Sequence, residues 1–150
     1  MRPRFLLNLI SQCKSFAINL NHDRILEEDI EKGLTAYSTD LLTDIGYEIH
    51  DVENNVDDIL YAFIGSNSIV KRDDIFSVLD EFGVGDQFFE KIFELLLWYG
   101  FIGLRINGET KYIYDFNYSM KLMAGIIKKK GDIEYMINPA FWPTLMIENT

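Results

Sequence analysis

The sequence has little that would support cross-linking, metal binding or membrane insertion. Its 150 residues include one cysteine, Cys13, which excludes an intramolecular disulfide and any site built from several cysteines. The longest apolar runs fall far short of the ~20 residues that span a bilayer, and no signal peptide is recognisable at the N-terminus. These features favour a soluble cytoplasmic protein with no membrane contact, metal or cofactor.

Basic residues are also scarce. The chain has 14 of them against 24 acidic residues, a formal charge of −10. The imbalance is strongest at residues 56–100, with nine acidic and three basic residues, and is absent from residues 101–150. Nucleic-acid binders need positive charge to release phosphate counterions, so the overall charge disfavours nucleic acid as a partner.

Two amphipathic helices are predicted in the first third of the chain. The first covers residues 4–20, and the second starts near Glu27, where acidic residues complement the helix dipole. The turn-forming segment 19–23 is short, so the helices should be antiparallel neighbours. We assign residues 1–54 to this helical, lid-like segment. Its predicted inner residues are Phe5, Leu6, Leu9, Cys13, Phe16, Ala17 and Leu20 on the first helix, and Ile30, Leu34, Tyr37, Leu41, Ile45 and Ile49 on the second.

The remaining residues, 55–150, predict three helices followed by a β-hairpin. Asn107-Gly108 joins the two β-rich runs and is a strong hairpin signal, because both residues tolerate positive φ. This order is typical of a winged helix-turn-helix. The predicted fold class is therefore mainly α with a small β-sheet. The expected helices are 56–64, 72–82, 86–99 and 118–130, and the expected strands are 101–106, 110–116 and 133–137.

Four short motifs add a resemblance to a known family. They are Arg2-Pro3-Arg4-Phe5-Leu6-Leu7, Ile25-Leu26-Glu27-Glu28-Asp29-Ile30, Trp98-Tyr99-Gly100-Phe101-Ile102-Gly103 and Tyr135-Met136-Ile137-Asn138-Pro139-Ala140-Phe141. Together they resemble the C-terminal part of AAA-like bacterial P-loop ATPases, in which a helical lid precedes a winged helix. Three positions depart from the family pattern: Phe5 stands for Asp, Leu26 for Thr and Asn138 for a frequent His.

The resemblance implies a nucleotide-sensing role for Arg2 and Arg4, whose counterparts reach the nucleotide from the lid. The sequence contains no Gly-x-x-x-x-Gly-Lys-Ser/Thr phosphate loop and no strand that ends in a magnesium-binding acidic pair. We therefore expect ATP to be bound only through a P-loop core that this chain lacks. The chain would then be a fragment, a separately expressed domain or the product of a split gene.

The predicted helix 86–99 carries the candidate interaction surface, which consists of Phe88, Phe89, Phe93, Glu90 and Glu94. Its apolar residues cover nearly the whole circumference, which predicts either a helix buried on several sides or a protein–protein interface. Its acidic residues would repel phosphates if it entered a DNA groove.

Candidate nucleic-acid contacts are found only in the last third of the chain: Arg105, Lys111, Lys128, Lys129 and Lys130. The first two flank the predicted hairpin, where polar residues also alternate for ordinary structural reasons. The three lysines end a predicted helix, where they complement the negative end of its dipole.

No arrangement of residues points to catalysis. The only histidines, His22 and His50, fall in separate segments, and paired acids occur near helix starts, where the dipole accounts for them. We therefore predict a noncatalytic regulatory or protein-interaction module of a P-loop ATPase system, with a protein partner or self-association. The alternative is a DNA-binding winged-helix protein of the transcription-regulator type.

Overall fold

Two antiparallel helices begin the structure, as the hydrophobic pattern predicts. The computed structural model describes residues 3–52 and 58–149, with α1 at Pro3–Asn19 and α2 at Glu27–Val52. The helices approach closely at Gly33, where a Cβ would lie only 3.0 Å from the backbone nitrogen of Cys13. Gln12 also donates a hydrogen bond of 2.9 Å to Asp40 Oδ2. These contacts tie α1 to α2 between Gly33 and Asp40.

The second half of α2 belongs to a different environment. Leu41, Leu42, Ile45 and Ile49 are buried in one core with the residues that follow. Residues 139–145 also pack against α2, where the hydroxyl oxygens of Thr144 and Thr39 lie 2.8 Å apart. The predicted boundary at residue 54 lies outside the described residues. Buried residues before and after it in the sequence belong to one core, to which α2 contributes together with the elements that follow.

The rest of the chain alternates short helices and short strands. Its elements are a 3₁₀ turn at Ile59–Phe63, β1 at Ile69–Lys71, α3 at Arg72–Glu81, a 3₁₀ turn at Asp86–Phe88, α4 at Phe89–Trp98, β2 at Ile102–Ile106, β3 at Glu109–Lys111, a 3₁₀ turn at Ile113–Phe116, α5 at Met120–Lys130, β4 at Glu134–Ile137, a 3₁₀ turn at Pro139–Phe141 and α6 at Trp142–Leu145. The predicted fold class, mainly α with a small sheet, is confirmed.

The four strands form one antiparallel sheet in the order β1-β4-β2-β3. The predicted hairpin is present between β2 and β3, and Asn107 and Gly108 have φ values of 53° and 79°. β4 pairs with β2 on the other side, with Ile137 opposite Ile102, and β1 then pairs with β4. β1 was not predicted, since its three residues are too few to show an alternating pattern.

Three sequence-based boundaries were wrong. The strand expected at 110–116 ends at Lys111, because Asp115 Oδ2 accepts a hydrogen bond of 2.9 Å from the Tyr112 backbone N–H and closes a 3₁₀ turn. This turn buries Ile113 and Phe116, whose hydrophobic character had suggested a strand. The helix expected at 56–64 is a 3₁₀ turn in its described part, and the helix expected at 86–99 begins with another.

The shared core makes a testable prediction. Ile49→Ala removes buried methyl groups at the point where α2 meets the C-terminal elements, so the free energy of unfolding should fall by about 2–5 kcal/mol. Urea denaturation followed by tryptophan fluorescence and by circular dichroism should show one coincident transition. The exposed change Asp44→Ala on the same helix should alter stability by no more than about 0.5 kcal/mol. Two separate transitions would show that the halves fold independently.

Candidate functional site

α4 separates the residues of the predicted interaction surface by burial. Phe93 is only 4% exposed and packs edge-on against Phe76 and Tyr135, at centroid distances of 6.0 and 5.1 Å. Phe88 and Phe89 are half-buried against the core, whereas Glu90 and Glu94 are exposed. Phe93 therefore contributes to the core, whereas Glu90 and Glu94 lie on the exposed side of α4.

A groove between α4 and α5 brings together residues that the sequence had placed in different sites. Glu90, Glu94 and Phe93 line it from α4, and Lys128 lines it from α5. Its volume is about 620 Å³. The exposed acids of the predicted interaction surface thus share a groove with one candidate nucleic-acid contact, and the groove carries charges of both signs.

Arg72 is a residue of this groove that the sequence analysis missed. Its guanidinium forms an ion pair with Glu90 and lies 5.0 Å and 5.1 Å from the ring centroids of Phe76 and Phe93. Such cation–π contacts add to the attraction between Arg72 and the helix. A signal was available, because Arg72 begins α3 at the positive end of the helix dipole, where a cation is unfavourable without partners.

The other candidate nucleic-acid contacts are distributed over the sheet and α5. Arg105 is half-buried on β2, with Thr110 opposite it on β3 and Glu134 opposite it on β4. Lys111 is exposed on β3, two residues after the exposed Glu109. Lys129 and Lys130 are exposed in the last turn of α5, where they complement the helix dipole. Acidic residues therefore lie beside both basic residues of the sheet.

The two residues for which we predict nucleotide sensing, Arg2 and Arg4, lie at the start of the sequence. Arg2 lies outside the described residues, and Arg4 belongs to the first turn of α1. Their sensing role stays a prediction.

A histidine–carboxylate cluster fixes the turn between α1 and α2. His22 Nδ1 lies 2.8 Å from Asp29 Oδ2, and His22 Nε2 lies 3.1 Å from Glu28 Oε1. Asp29 is fully buried, and its Oδ2 also accepts a 2.8 Å hydrogen bond from the Leu26 backbone N–H. This contact caps the start of α2 in the manner of a capping box. The sequence analysis explained these acids only by their interaction with the helix dipole, and it predicted no partner for His22.

The same cluster is the one group of at least three potential metal ligands among the described residues. His22, Glu28 and Asp29 offer ligand atoms within 4.8 Å of one another. The atoms already satisfy one another by hydrogen bonding, and an imidazolium can donate to both carboxylates at once. Hydrogen bonding among the three side chains accounts for their arrangement, which is a structural clamp that joins the turn after α1 to the start of α2.

The comparisons with known proteins point to this helical pair. Residues 1–46 match the family of FunZ-associated C-terminal helical domains. The match covers α1 and α2 as far as Gly46, just under a third of the chain. No curated protein and no solved structure matches the sequence.

The FunZ-associated match therefore coincides with the helical segment and stops inside α2, before the C-terminal elements begin. Throughout the part of the chain that the structure describes, no helix combines the length and the apolar character needed to cross a membrane. The match indicates that this segment is typical of a C-terminal domain in a larger system.

The clamp at the start of α2 predicts a specific dependence on pH. Burial alone would raise the pKa of Asp29, but hydrogen bonds from Leu26 and His22, together with the charges of His22 and Lys32, lower that pKa below its ordinary value of 3.8. At pH values above 3.8, the ordinary pKa of the group, the ionised carboxylate therefore stabilises the fold. The stabilisation is lost as the pH falls through the lower, folded-state pKa.

Asp29→Asn keeps a capping oxygen but removes the charge. We expect the variant to be less stable than the parent near neutral pH, and the difference should shrink as the pH falls below 3.8 and through the lowered pKa of Asp29. Free energies of unfolding from urea titrations at several pH values measure this convergence. A difference that stays constant with pH would contradict the role of the charge.

Proposed function

We propose that the chain is a noncatalytic protein-interaction module of a P-loop ATPase system, in which the α1–α2 hairpin docks on the ATPase as a lid. The observation that carries this proposal is the outer stripe of α1, which we define as Leu7, Ile10 and Ile18. Leu7 and Ile18 are 68% and 61% exposed, although α1 is amphipathic and its inner face is already packed on α2.

Exposed apolar residues are also present on α2. Ile30 and Leu34 continue the stripe of Tyr37 and Leu41 beyond the core, and both remain exposed. Exposed apolar surface is typical of protein-interaction sites. The hairpin thus has apolar surface that the described part of the chain does not cover.

The proposed ATPase partner is supported by the lid-like motifs that begin with Arg2 and Ile25, which resemble those of AAA-like ATPases. The match of residues 1–46 to FunZ-associated C-terminal helical domains supports the coarser statement that the helical pair is part of a larger system. Of the three helices and the hairpin expected for a winged helix, α3, α4 and the β2–β3 hairpin follow in order, whereas the segment expected as the first helix is a 3₁₀ turn in its described part. In this scheme Arg2 and Arg4 contact the nucleotide bound by the ATPase core.

The docking role predicts that charge on the outer stripe prevents association. Leu7→Glu combined with Ile18→Glu should weaken binding to the proposed P-loop ATPase partner by about tenfold or more, because an unpaired carboxylate is costly to bury in an apolar contact. Isothermal titration calorimetry with both purified proteins measures the change.

Ser15→Glu combined with Asn19→Glu is the matched control. It adds the same charge to α1 at exposed positions outside the stripe. This control should bind as the parent does if the stripe is the contact. Equal binding by the parent and the stripe variant would overturn the proposed docking face, and hydrolysis of ATP by the isolated chain would overturn its noncatalytic role.

The lid role makes a separate prediction for the arginines. Arg2→Ala combined with Arg4→Ala should raise the KM for ATP of the assembled ATPase several-fold and leave the affinity between the two proteins unchanged, because the arginines would contact nucleotide and not the protein interface. Steady-state hydrolysis and calorimetry distinguish the two effects. An unchanged KM would remove the nucleotide-sensing role.

A further inference from the structure

A second recess lies between α2, the end of α4 and the segment after β3, far along the chain from the outer stripe. We name it the aromatic cleft. Its volume is about 250 Å³. Trp98, Tyr114 and Tyr118 form its rim and are 39–45% exposed, and the floor includes the buried residues Tyr37 and Phe141. Three exposed aromatic rings grouped around a single recess are typical of a binding surface.

The rim rings are arranged by contacts within the chain. The rings of Trp98 and Tyr118 meet edge to face at a centroid distance of 5.9 Å, and Tyr114 stacks on Tyr112 at 5.6 Å. Trp98 is the last residue of α4, and Tyr114 belongs to the 3₁₀ turn whose start Asp115 caps. The rim is therefore carried by ordered elements, which lowers the entropic cost of binding.

The electrostatic character of the aromatic cleft selects a cation. None of its described lining residues carries a charge, and the faces of aromatic rings attract cations through their quadrupole. α4 ends at the cleft, so the negative end of its dipole lies there. Asp115 follows Tyr114 directly, and burial together with its charge raises the pKa of that phenol, so Tyr114 stays neutral.

The size of the cleft decides which kind of cation fits. Pockets for small molecules usually measure about 300–1,000 Å³, and this recess is smaller. One long side chain suits it better than a nucleotide does. Arginine combines a methylene stem, which can cover the apolar floor, with a weakly hydrated planar cation that stacks on aromatic rings. The chain already uses this chemistry where Arg72 lies over Phe76 and Phe93.

We propose that the aromatic cleft binds an arginine side chain of a partner protein. The inference deepens the proposed interaction role and rests on it, because it states the chemistry by which the module recognises a partner. The net charge of −10 further favours a basic segment as that partner.

Nuclear magnetic resonance of the intact chain tests the proposal directly. The two tryptophans give two indole N–H signals, and the Trp142 signal is an internal reference because its N–H donates a 2.7 Å hydrogen bond to the Ile137 carbonyl. Titration with Nα-acetyl-arginine amide should shift the Trp98 signal and leave that of Trp142 in place. Nα-acetyl-citrulline amide has nearly the same shape without the charge and should give no saturable shift.

Variants then assign the binding to the rim. Trp98→Leu and Tyr118→Leu should each weaken arginine binding about two- to fivefold, the range expected for one exposed cation–π contact, with backbone amide shifts as the readout. Tyr61→Leu removes an equally exposed tyrosine outside the cleft and should bind as the parent does. If a rim variant fails to fold, the comparison of arginine with citrulline on the parent chain still decides.

Other outcomes would overturn the proposal. Equal shifts with arginine and citrulline would show that the cleft does not select for positive charge. Saturation by tetramethylammonium without any response to the arginine amide would assign the cleft to a small quaternary ammonium ligand. The titrations need no ATPase, so arginine binding by a chain that fails to associate with the ATPase would refute the proposed function alone, and the reverse result would refute the cleft alone.

Discussion

The structure depends on the burial of one helix in two places. α2 has 26 residues and is about 39 Å long. α1 packs against it around Gly33 and Asp40, and its C-terminal part supplies Leu41, Leu42, Ile45 and Ile49 to the core around the sheet. Because a helix is a rigid rod at this length, fixing its second half in the core also fixes where α1 lies. The position of the outer stripe follows from that constraint.

Acidic residues that the overall charge makes conspicuous have a local structural role. Asp29, Asp74 and Asp115 each accept a hydrogen bond from the backbone N–H three residues earlier, at 2.8–2.9 Å. These bonds satisfy donors that the start of a helix or 3₁₀ turn otherwise leaves unpaired. Part of the −10 charge is thus used to begin α2, α3 and the turn after β3. Paired acids near these positions therefore need no catalytic explanation.

Sequence reasoning succeeded where neighbouring residues determine the outcome. The hairpin at Asn107-Gly108 was predictable because the conformation of a two-residue turn depends on those residues alone. The helical pair was predictable from its spacing, and the match of residues 1–46 to FunZ-associated C-terminal helical domains falls on the same segment. The lysines at the end of α5 were placed correctly for the same local reason.

Prediction failed where contacts join distant parts of the chain. β1 exists because Ile69, Val70 and Lys71 find partners on β4, more than 60 residues later. The ion pair of Arg72 with Glu90 and the meeting of His22 with Asp29 likewise depend on packing that periodicity does not report. The interaction surface predicted on α4 was also separated by packing. Phe93 and Glu90 are on one short helix, but only Phe93 is buried in the core.

The sequence by itself determined the acidic character of the chain, its mainly helical class, the β2–β3 hairpin turn and the starts of α2 and α3, because these follow from composition and from interactions within a few residues. Tertiary structure alone decided which half of the α2 stripe is buried, which apolar residues of α1 stay exposed, and that Trp98, Tyr114 and Tyr118 meet around one recess. The physical reason is that burial is a property of the packed whole: a side chain is excluded from water only when another element covers it, and the covering element here comes from far along the chain.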